Sequence, residues 1–115
     1  MTDSQLLTDL RATREFLTKE SWGQKRYYDS NTGCYCVLGA MSRALCPTAF
    51  EPFDLGVGSE LMQRYERARD ALGKVFEPGS NLAGLSIAFW NDAPGRTKEE
   101  ILATLDRAIA QVEAQ

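Results

Sequence analysis

Apolar residues recur every three or four positions over three long segments of the chain. Residues 2–18 and 59–76 show this pattern, and a third segment that starts after Thr97 carries it as far as Val112. In that third segment, Glu100 follows Thr97 by three positions, which is the sequence pattern of a capping box at a helix start. The spacing predicts three amphipathic helices, each with one face turned to the core.

Two shorter segments are apolar on almost every side. Residues 34–46 have only Ser42 and Arg43 as polar positions, and residues 82–89 form a brief apolar run. A helix of this composition is enclosed by its neighbours, so we expect the first of the two at the centre of the fold. Tyrosines followed by a dense turn signal predict a small β-hairpin near residues 25–35. The predicted fold class is therefore all-α, a compact bundle of about five helices with at most one small hairpin.

Composition and charge narrow the class of protein. The 115 residues are 43% hydrophobic and 25% charged, which is typical of a globular domain, and we expect a single domain over residues 1–115. Its 13 basic and 16 acidic side chains give a net charge of −3, so nucleic acid is not the expected partner. The first residues do not resemble a signal peptide, and no apolar run approaches the roughly 20 residues of a membrane span. We therefore expect a cytoplasmic protein with no membrane segment.

The sequence contains no histidine, and this narrows the candidate chemistry more than any other feature. It excludes Ser-His-Asp and Cys-His catalysis and every histidine-ligated metal. The three cysteines, Cys34, Cys36 and Cys46, are too few for a four-ligand zinc site and lack the usual C-x-x-C spacing. We therefore expect no metal and no cofactor, and we expect the thiols to pack as small apolar groups.

Three segments carry the candidate binding chemistry, and each has an alternative interpretation. The patch at residues 22–28 mixes aromatics with cations, which suits either the stacking of nucleic-acid bases or the covering of a core edge. Cys36 lies near a predicted helix start, where the helix dipole can activate a thiolate, although simple packing is the alternative. Asn91 and Asp92 precede a Pro-Gly turn, where they either stabilise the turn or supply polar groups to a pocket walled by tryptophan. The candidate ligand-binding residues are Trp22, Gln24, Tyr27, Cys36, Trp90, Asn91, Asp92 and Arg96.

Three motifs, taken together, resemble a known family. They are, in chain order, W-x-Q at residues 22–24, C-x-x-G-A at residues 36–40 and N-D-x-x-x-R-T-x-x-E at residues 91–100. Their order and spacing are similar to those of a family of small uncharacterised proteins from actinobacteria, other bacteria and their phages, over residues 16–110. Two positions depart from that pattern: Trp90 stands where a smaller aromatic is usual, and Cys34 is an additional thiol. The resemblance implies that the motifs surround one site, and it implies no established activity.

The function that these observations favour is a non-catalytic binding or accessory module. Its partner is an unidentified small molecule or protein, and the sequence leaves the oligomeric state open. A small enzyme that uses Cys36 or Asp92 is the alternative from another class, and an alkylation of Cys36 that depends on pH would favour it. A phage or host factor that binds nucleic acid through residues 22–28 is a third hypothesis.

We expect the motifs to converge on one pocket or groove. Trp22, Gln24, the start of the Cys36 helix and the pair Asn91-Asp92 all lie at turns or helix ends, where distant segments can meet. In that arrangement Asp92 would accept hydrogen bonds from the free amides of the helix start, from the side-chain amide of Gln24 and from Arg96. The helix start would also suit an anionic ligand.

Overall fold

The helical architecture is seen in a computed structural model that describes residues 2–76 and 83–115. This part of the chain forms five α-helices, one short 3-10 helix and a two-stranded antiparallel hairpin. In chain order these are α1 Thr2–Lys19, β1 Tyr28–Asp29, β2 Cys34–Tyr35, α2 Val37–Leu45, the 3-10 helix Pro52–Leu55, α3 Glu60–Phe76, α4 Ala83–Asn91 and α5 Lys98–Glu113. The prediction of an all-α bundle with one small hairpin is confirmed, and residue 82 of the predicted apolar run at 82–89 lies outside the described residues.

Helix α2 is the central element, as the sequence predicts. The six consecutive residues from Val37 to Ser42 are buried, and α2 packs against α1, α3 and α4. Its start differs from the prediction, because residues 34 and 35 form strand β2 instead of the first helical turn. The backbone of Tyr35 is committed to strand pairing: its N–H donates to the carbonyl of Ser21, at 2.8 Å, and its carbonyl accepts from the N–H of Gly23, at 2.9 Å.

Helices α1 and α5 pack side by side and form what we call the α1–α5 seam. Both helices contribute fully buried leucines to the core, among them Leu10 and Leu105. Two ion pairs bridge the outside of the seam, one between Arg11 and Glu113 and one between Arg14 and Asp106. All four of these charged side chains keep a third or more of their surface in solvent.

The predicted capping box at the start of α5 is confirmed. The N–H of Glu100 donates to the hydroxyl oxygen of Thr97 at 3.2 Å, and the N–H of Thr97 donates to the carboxylate of Glu100 at 3.0 Å. These bonds satisfy two groups that a helix start otherwise leaves unpaired. They also hold the pKa of the Glu100 carboxyl below its usual value, chiefly through the Thr97 backbone.

A buried ion pair joins α1 to α3. Asp9 is 2% exposed, and its carboxylate accepts hydrogen bonds from two nitrogens of the Arg64 guanidinium, at 2.8 and 3.2 Å. Gln5 donates a third hydrogen bond to the same carboxylate, at 3.0 Å. A buried charge is tolerated where it is paired and hydrogen-bonded in this way.

Among the helices that are described, none has the length and the apolar character needed to cross a membrane.

Candidate functional site

The side chain of Asn91 lies where three distant segments of the chain meet. This residue ends α4 and is 1% exposed. Its Oδ1 accepts hydrogen bonds from the indole Nε1 of Trp22, at 2.8 Å, and from the backbone N–H of Val37, at 3.1 Å. Its Nδ2 donates to the carbonyl of Gly23, at 3.1 Å, and to Oδ1 of Asp92, at 3.0 Å. All four hydrogen-bonding positions of the amide are therefore used, which fixes its orientation in the protein.

Three further hydrogen bonds tighten the same junction. The side-chain Nε2 of Gln24 donates to the backbone carbonyls of Asn91, at 3.0 Å, and of Ala93, at 2.9 Å, which lie at and just beyond the end of α4. The backbone N–H of Lys25 donates to Oδ1 of Asp92 at 2.7 Å. We call the residues joined by these bonds the Asn91 hub. They are Trp22–Lys25, Val37 and Asn91–Ala93.

Lys25 adopts an unusual backbone conformation within the Asn91 hub. Its φ is +75°, and among the described residues it is the only one other than glycine with a positive φ. For a residue with a side chain, this left-handed conformation costs roughly 1–2 kcal/mol. The short hydrogen bond to Asp92 holds the backbone of Lys25 in place and offsets that cost.

Gly39 allows the hairpin to cross the first turn of α2 at very short range. A Cβ atom on Gly39 would lie 1.9 Å from the carbonyl oxygen of Tyr27, so no larger residue fits without a backbone shift. At the same crossing, the N–H of Cys36 donates to that carbonyl at 3.2 Å. The backbone of Tyr27 is thereby fixed against the start of α2, and the side chain of Tyr27 stands beside the Asn91 hub.

Cys36 is the N-cap residue of α2 and not a free surface thiol. Its side chain is buried, and its Sγ accepts a hydrogen bond from the N–H of Gly39 at 3.4 Å. Burial raises the pKa of this thiol, an effect that the backbone N–H groups of Gly39 and Leu38 oppose and that the charge of Asp92 adds to. The thiol is therefore protonated at neutral pH, whereas a nucleophilic cysteine requires the thiolate.

The prediction that the start of α2 suits an anionic ligand is wrong. The N–H of Val37 already donates to Asn91, and the N–H of Gly39 donates to Cys36. The backbone of Tyr27 lies directly against Gly39. The helix start is thus satisfied by the protein itself and does not offer these amides to a ligand.

The segments converge as expected, but Asp92 does not have the expected donors. Its carboxylate accepts from the backbone of Lys25 and from the side chain of Asn91. Asn91, one residue earlier, takes the helix-start amide, and Gln24 donates to backbone carbonyls. Arg96 turns the other way: its Nε donates to the carbonyl of Trp90 at 2.9 Å, and its Nη1 pairs with Glu100.

A cleft of about 280 Å³ opens beside the Asn91 hub. Its lining includes four of the candidate residues, namely Tyr27, Cys36, Asn91 and Asp92. The other residues of the lining are Lys25, Arg26, Leu38 and Ala88. The cleft therefore has an apolar floor from α2 and α4, an aromatic wall and charged groups at its rim.

The remaining candidates lie outside this lining. Trp22 and Gln24 hold the Asn91 hub together from behind the cleft. Trp90 packs on the far side of α4, with its ring centroid 4.8 Å from that of Phe76 and with the guanidinium of Arg96 4.4 Å above it. The expected tryptophan wall is therefore not present, and Tyr27 provides the aromatic side of the cleft instead.

Four residues of the cleft are not among the candidates: Lys25 and Arg26 lie within the patch at residues 22–28, and Leu38 and Ala88 lie in none of the candidate segments. Leu38 follows Cys36 by two positions at the helix start, and Ala88 precedes Asn91 by three, which is close to one helical turn. Helical spacing from Asn91 was thus the signal that could have placed Ala88 on the same face. Leu38 gave no signal of this kind, because every residue around it is apolar.

The three cysteines remain separate thiols in the structure. Cys46 ends α2, where its Sγ lies 3.3 Å from the hydroxyl oxygen of Thr48, and Cys34 lies in β2. Over residues 4–76 and 86–115, no three Cys, Asp or Glu side chains come together as the ligands of a metal ion would.

Comparison with known proteins places the chain at the level of a family. The chain belongs to the family of unknown function DUF6197, whose sequence profile matches residues 1–111. No curated protein and no solved structure matches it. The resemblance to an uncharacterised family is thereby confirmed at this level, and the function has to be argued from the cleft and the Asn91 hub.

Proposed function

We propose that this protein is a non-catalytic binding module that holds a small molecule in the cleft beside the Asn91 hub. The observation that carries the proposal is the position of the cleft, which opens where three segments are locked together by one saturated amide. Small-molecule sites combine an apolar lining with a few polar groups of fixed orientation. Leu38 and Ala88 supply the apolar lining, and the Asn91 hub fixes the orientation of the polar groups.

The lining indicates the class of molecule that fits. An apolar floor suits a small aromatic or aliphatic body, and the lining also includes the cations Lys25 and Arg26 and the carboxylate of Asp92. Tyr27 is a neutral phenol at physiological pH, as a tyrosine ordinarily is, and burial above all, with the nearby carboxylate of Glu51, raises its pKa further. We therefore propose a small amphiphile whose apolar body enters the cleft while its polar group stays at the rim.

The geometry supports binding over the two alternatives. Catalysis by Cys36 would require a thiolate, and this thiol is buried, caps a helix and has a raised pKa. Stacking of bases on the patch at residues 22–28 would require free aromatic faces, and the indole of Trp22 is half-buried and tied to Asn91. These observations support binding over catalysis by the Cys36 thiolate and over the stacking of bases on Trp22.

The proposal is tested with three fragments that share one ring and differ in charge, namely benzoate, benzylamine and benzyl alcohol. Each is titrated into the protein while backbone amide NMR shifts are recorded. We expect at least one of them to shift the amides of residues 25–27, 38 and 91–92 together, because these positions surround the cleft. Shifts that are scattered over the surface, or absent with all three fragments, would contradict the proposal.

A matched pair of variants locates the binding. Ala88→Leu fills the cleft from α4, whereas Ala103→Leu adds the same atoms at an exposed position of α5. The fragment should lose its effect with Ala88→Leu and keep it with Ala103→Leu, while both variants melt like the parent protein. Unchanged binding by the Ala88 variant would show that the fragment sits elsewhere.

A further inference from the structure

The polar groups that line the cleft beside the Asn91 hub differ in whether the protein itself already uses them. Asn91 has no hydrogen-bonding capacity left, because all four positions of its amide are taken. The Sγ of Cys36 is buried and accepts from the N–H of Gly39. A molecule in the cleft therefore has to find its polar partners chiefly among the other side chains of the lining.

Three neighbouring side chains of the lining can still donate hydrogen bonds, namely those of Lys25, Arg26 and Tyr27. Within the part of the chain that the structure describes, neither Lys25 nor Arg26 forms an ion pair, whereas Arg64 and Arg96 are both paired. The side chain of Tyr27 is 40% exposed, and its neutral phenol is a donor as well. The cleft thus offers two cations and a hydroxyl group to a ligand.

The single carboxylate of the lining, that of Asp92, is already engaged. Its Oδ1 accepts from the backbone N–H of Lys25 at 2.7 Å and from Nδ2 of Asn91 at 3.0 Å. Two cations against one carboxylate give the lining a net charge of +1. Glu51 lies outside this lining: it shares the neighbouring depression with Arg26 but forms no ion pair with it. The capacity that is left in the cleft is therefore mostly that of donors with positive charge.

We infer that the small molecule held in this cleft carries one carboxylate, which pairs with Lys25 and Arg26 while its apolar body lies on Leu38 and Ala88. This assignment rests on the proposed binding function and adds the charge of the ligand to it. A monoanion balances the net charge of the lining, and hydrogen bonds between ionised groups are stronger than those between neutral groups. The anion is held by side chains and not by the amides at the start of α2, which the protein itself occupies.

The fragments benzoate, benzyl alcohol and benzylamine test the sign of this charge, because they share one ring and differ in their polar group. From the amide NMR titrations we expect benzoate to bind at least roughly threefold more tightly than benzyl alcohol, and benzylamine to bind most weakly. Added salt should weaken the binding of benzoate and leave that of benzyl alcohol unchanged, because salt screens exposed charges. Binding of benzyl alcohol or benzylamine that is as tight as that of benzoate would overturn the inference.

Variants that each remove one cation show which groups hold the carboxylate. Arg26→Gln and Lys25→Gln should each weaken the binding of benzoate by roughly two- to fivefold and leave that of benzyl alcohol unchanged. Both residues are exposed, and the backbone N–H of Lys25 that Asp92 accepts is kept, so both variants should melt like the parent. Arg107→Gln, at an exposed position of α5, is the matched control. Benzoate binding that neither variant weakens, or that Arg107→Gln weakens equally, would contradict the assignment.

The failure of this assignment and the failure of the proposed function give different results. If none of the three fragments shifts the amides around the cleft, the binding function is contradicted and the assignment of a carboxylate is contradicted with it. If benzyl alcohol or benzylamine shifts these amides and benzoate binds no more tightly, the cleft is a binding site but its ligand is not a carboxylate. Tighter binding of benzoate that depends on Lys25 and Arg26 supports both.

Discussion

The Asn91 hub and the α1–α5 seam both join distant parts of the chain through polar side chains, but they differ in burial. Asn91 is 1% exposed, whereas the charged groups of the seam are 36–54% exposed. An exposed ion pair contributes about 0–1 kcal/mol, since water competes for both partners. A buried polar group left without its partner costs about 1–3 kcal/mol. The number of polar contacts therefore says little about stability unless burial is considered with it.

The largest effect is expected for Asn91→Ala. The change leaves the indole N–H of Trp22, the N–H of Val37 and the carbonyl of Gly23 without their partner and creates a cavity. We expect the free energy of unfolding to fall by about 3 kcal/mol or more, measured by chemical denaturation. Gln111→Ala, at an exposed site of α5, should change it little. A loss below about 1 kcal/mol would mean that the buried bonds of Asn91 stabilise the protein no more than an exposed ion pair does, which would contradict the comparison.

Gly39→Ala disturbs the region of the hub at the point where the backbone of Tyr27 crosses the first turn of α2. The new Cβ would lie 1.9 Å from the Tyr27 carbonyl oxygen, so the hairpin has to move away from α2. We expect a loss of about 2–3 kcal/mol, although glycine to alanine in an ordinary helix is stabilising. Gly58→Ala is the comparison for strain without a clash: no atom lies within 4 Å of its new Cβ, but its φ of +77° is costly for alanine, so we expect a loss of about 1 kcal/mol. A Gly39 variant as stable as the parent would mean that the crossing is wider than described.

Lys25→Gly sharpens the comparison by removing strain from the hub. Glycine adopts a φ of +75° without steric cost, so the free energy of unfolding should rise by about 1 kcal/mol. Lys25→Ala removes the same ammonium group but keeps the strained conformation, and it should leave the stability close to that of the parent. Equal effects of the two substitutions would assign the change to the charge and not to the backbone.

The smallest effect is expected for Arg14→Ala in the seam. The Arg14–Asp106 pair is exposed on both sides, so its removal should change the free energy of unfolding by less than about 0.5 kcal/mol. Denaturation at low and high salt should give the same small difference within error. A loss comparable with that of Asn91→Ala would show that an exposed ion pair stabilises this protein as much as the buried hub does, which would contradict the comparison.

Local sequence signals predicted the helices and the hairpin well. Helices α1, α3 and α5 begin and end within a few residues of the apolar pattern, and the Thr97 cap is where its motif stands. The start of α2 was misplaced because Cys34 and Tyr35 are apolar like the helix that follows. Their strand conformation is imposed by pairing with β1 and with the segment at Trp22, which no local pattern encodes.

The roles within the site depended on geometry that the sequence does not carry. Asn91 and Asp92 are neighbours of similar polarity, and the direction in which α4 ends decides which of them enters the core. Likewise, the ion pair between Asp9 and Arg64 joins residues 55 positions apart, so no helical spacing could have predicted it. The convergence of the motifs was predictable from their position at turns, while the identity of each donor and acceptor was not.

The hydrogen bonds of Asn91 also bear on the order in which the protein folds. Asn91 reaches Val37 across 54 positions and Trp22 across 69, so both bonds close long loops of chain. Such loops form slowly, because the entropy of closing them is lost before any contact compensates for it. One amide thus joins α2 and α4 to the segment at Trp22 and Gly23. The cleft beside that amide is therefore complete only once these distant segments have come together.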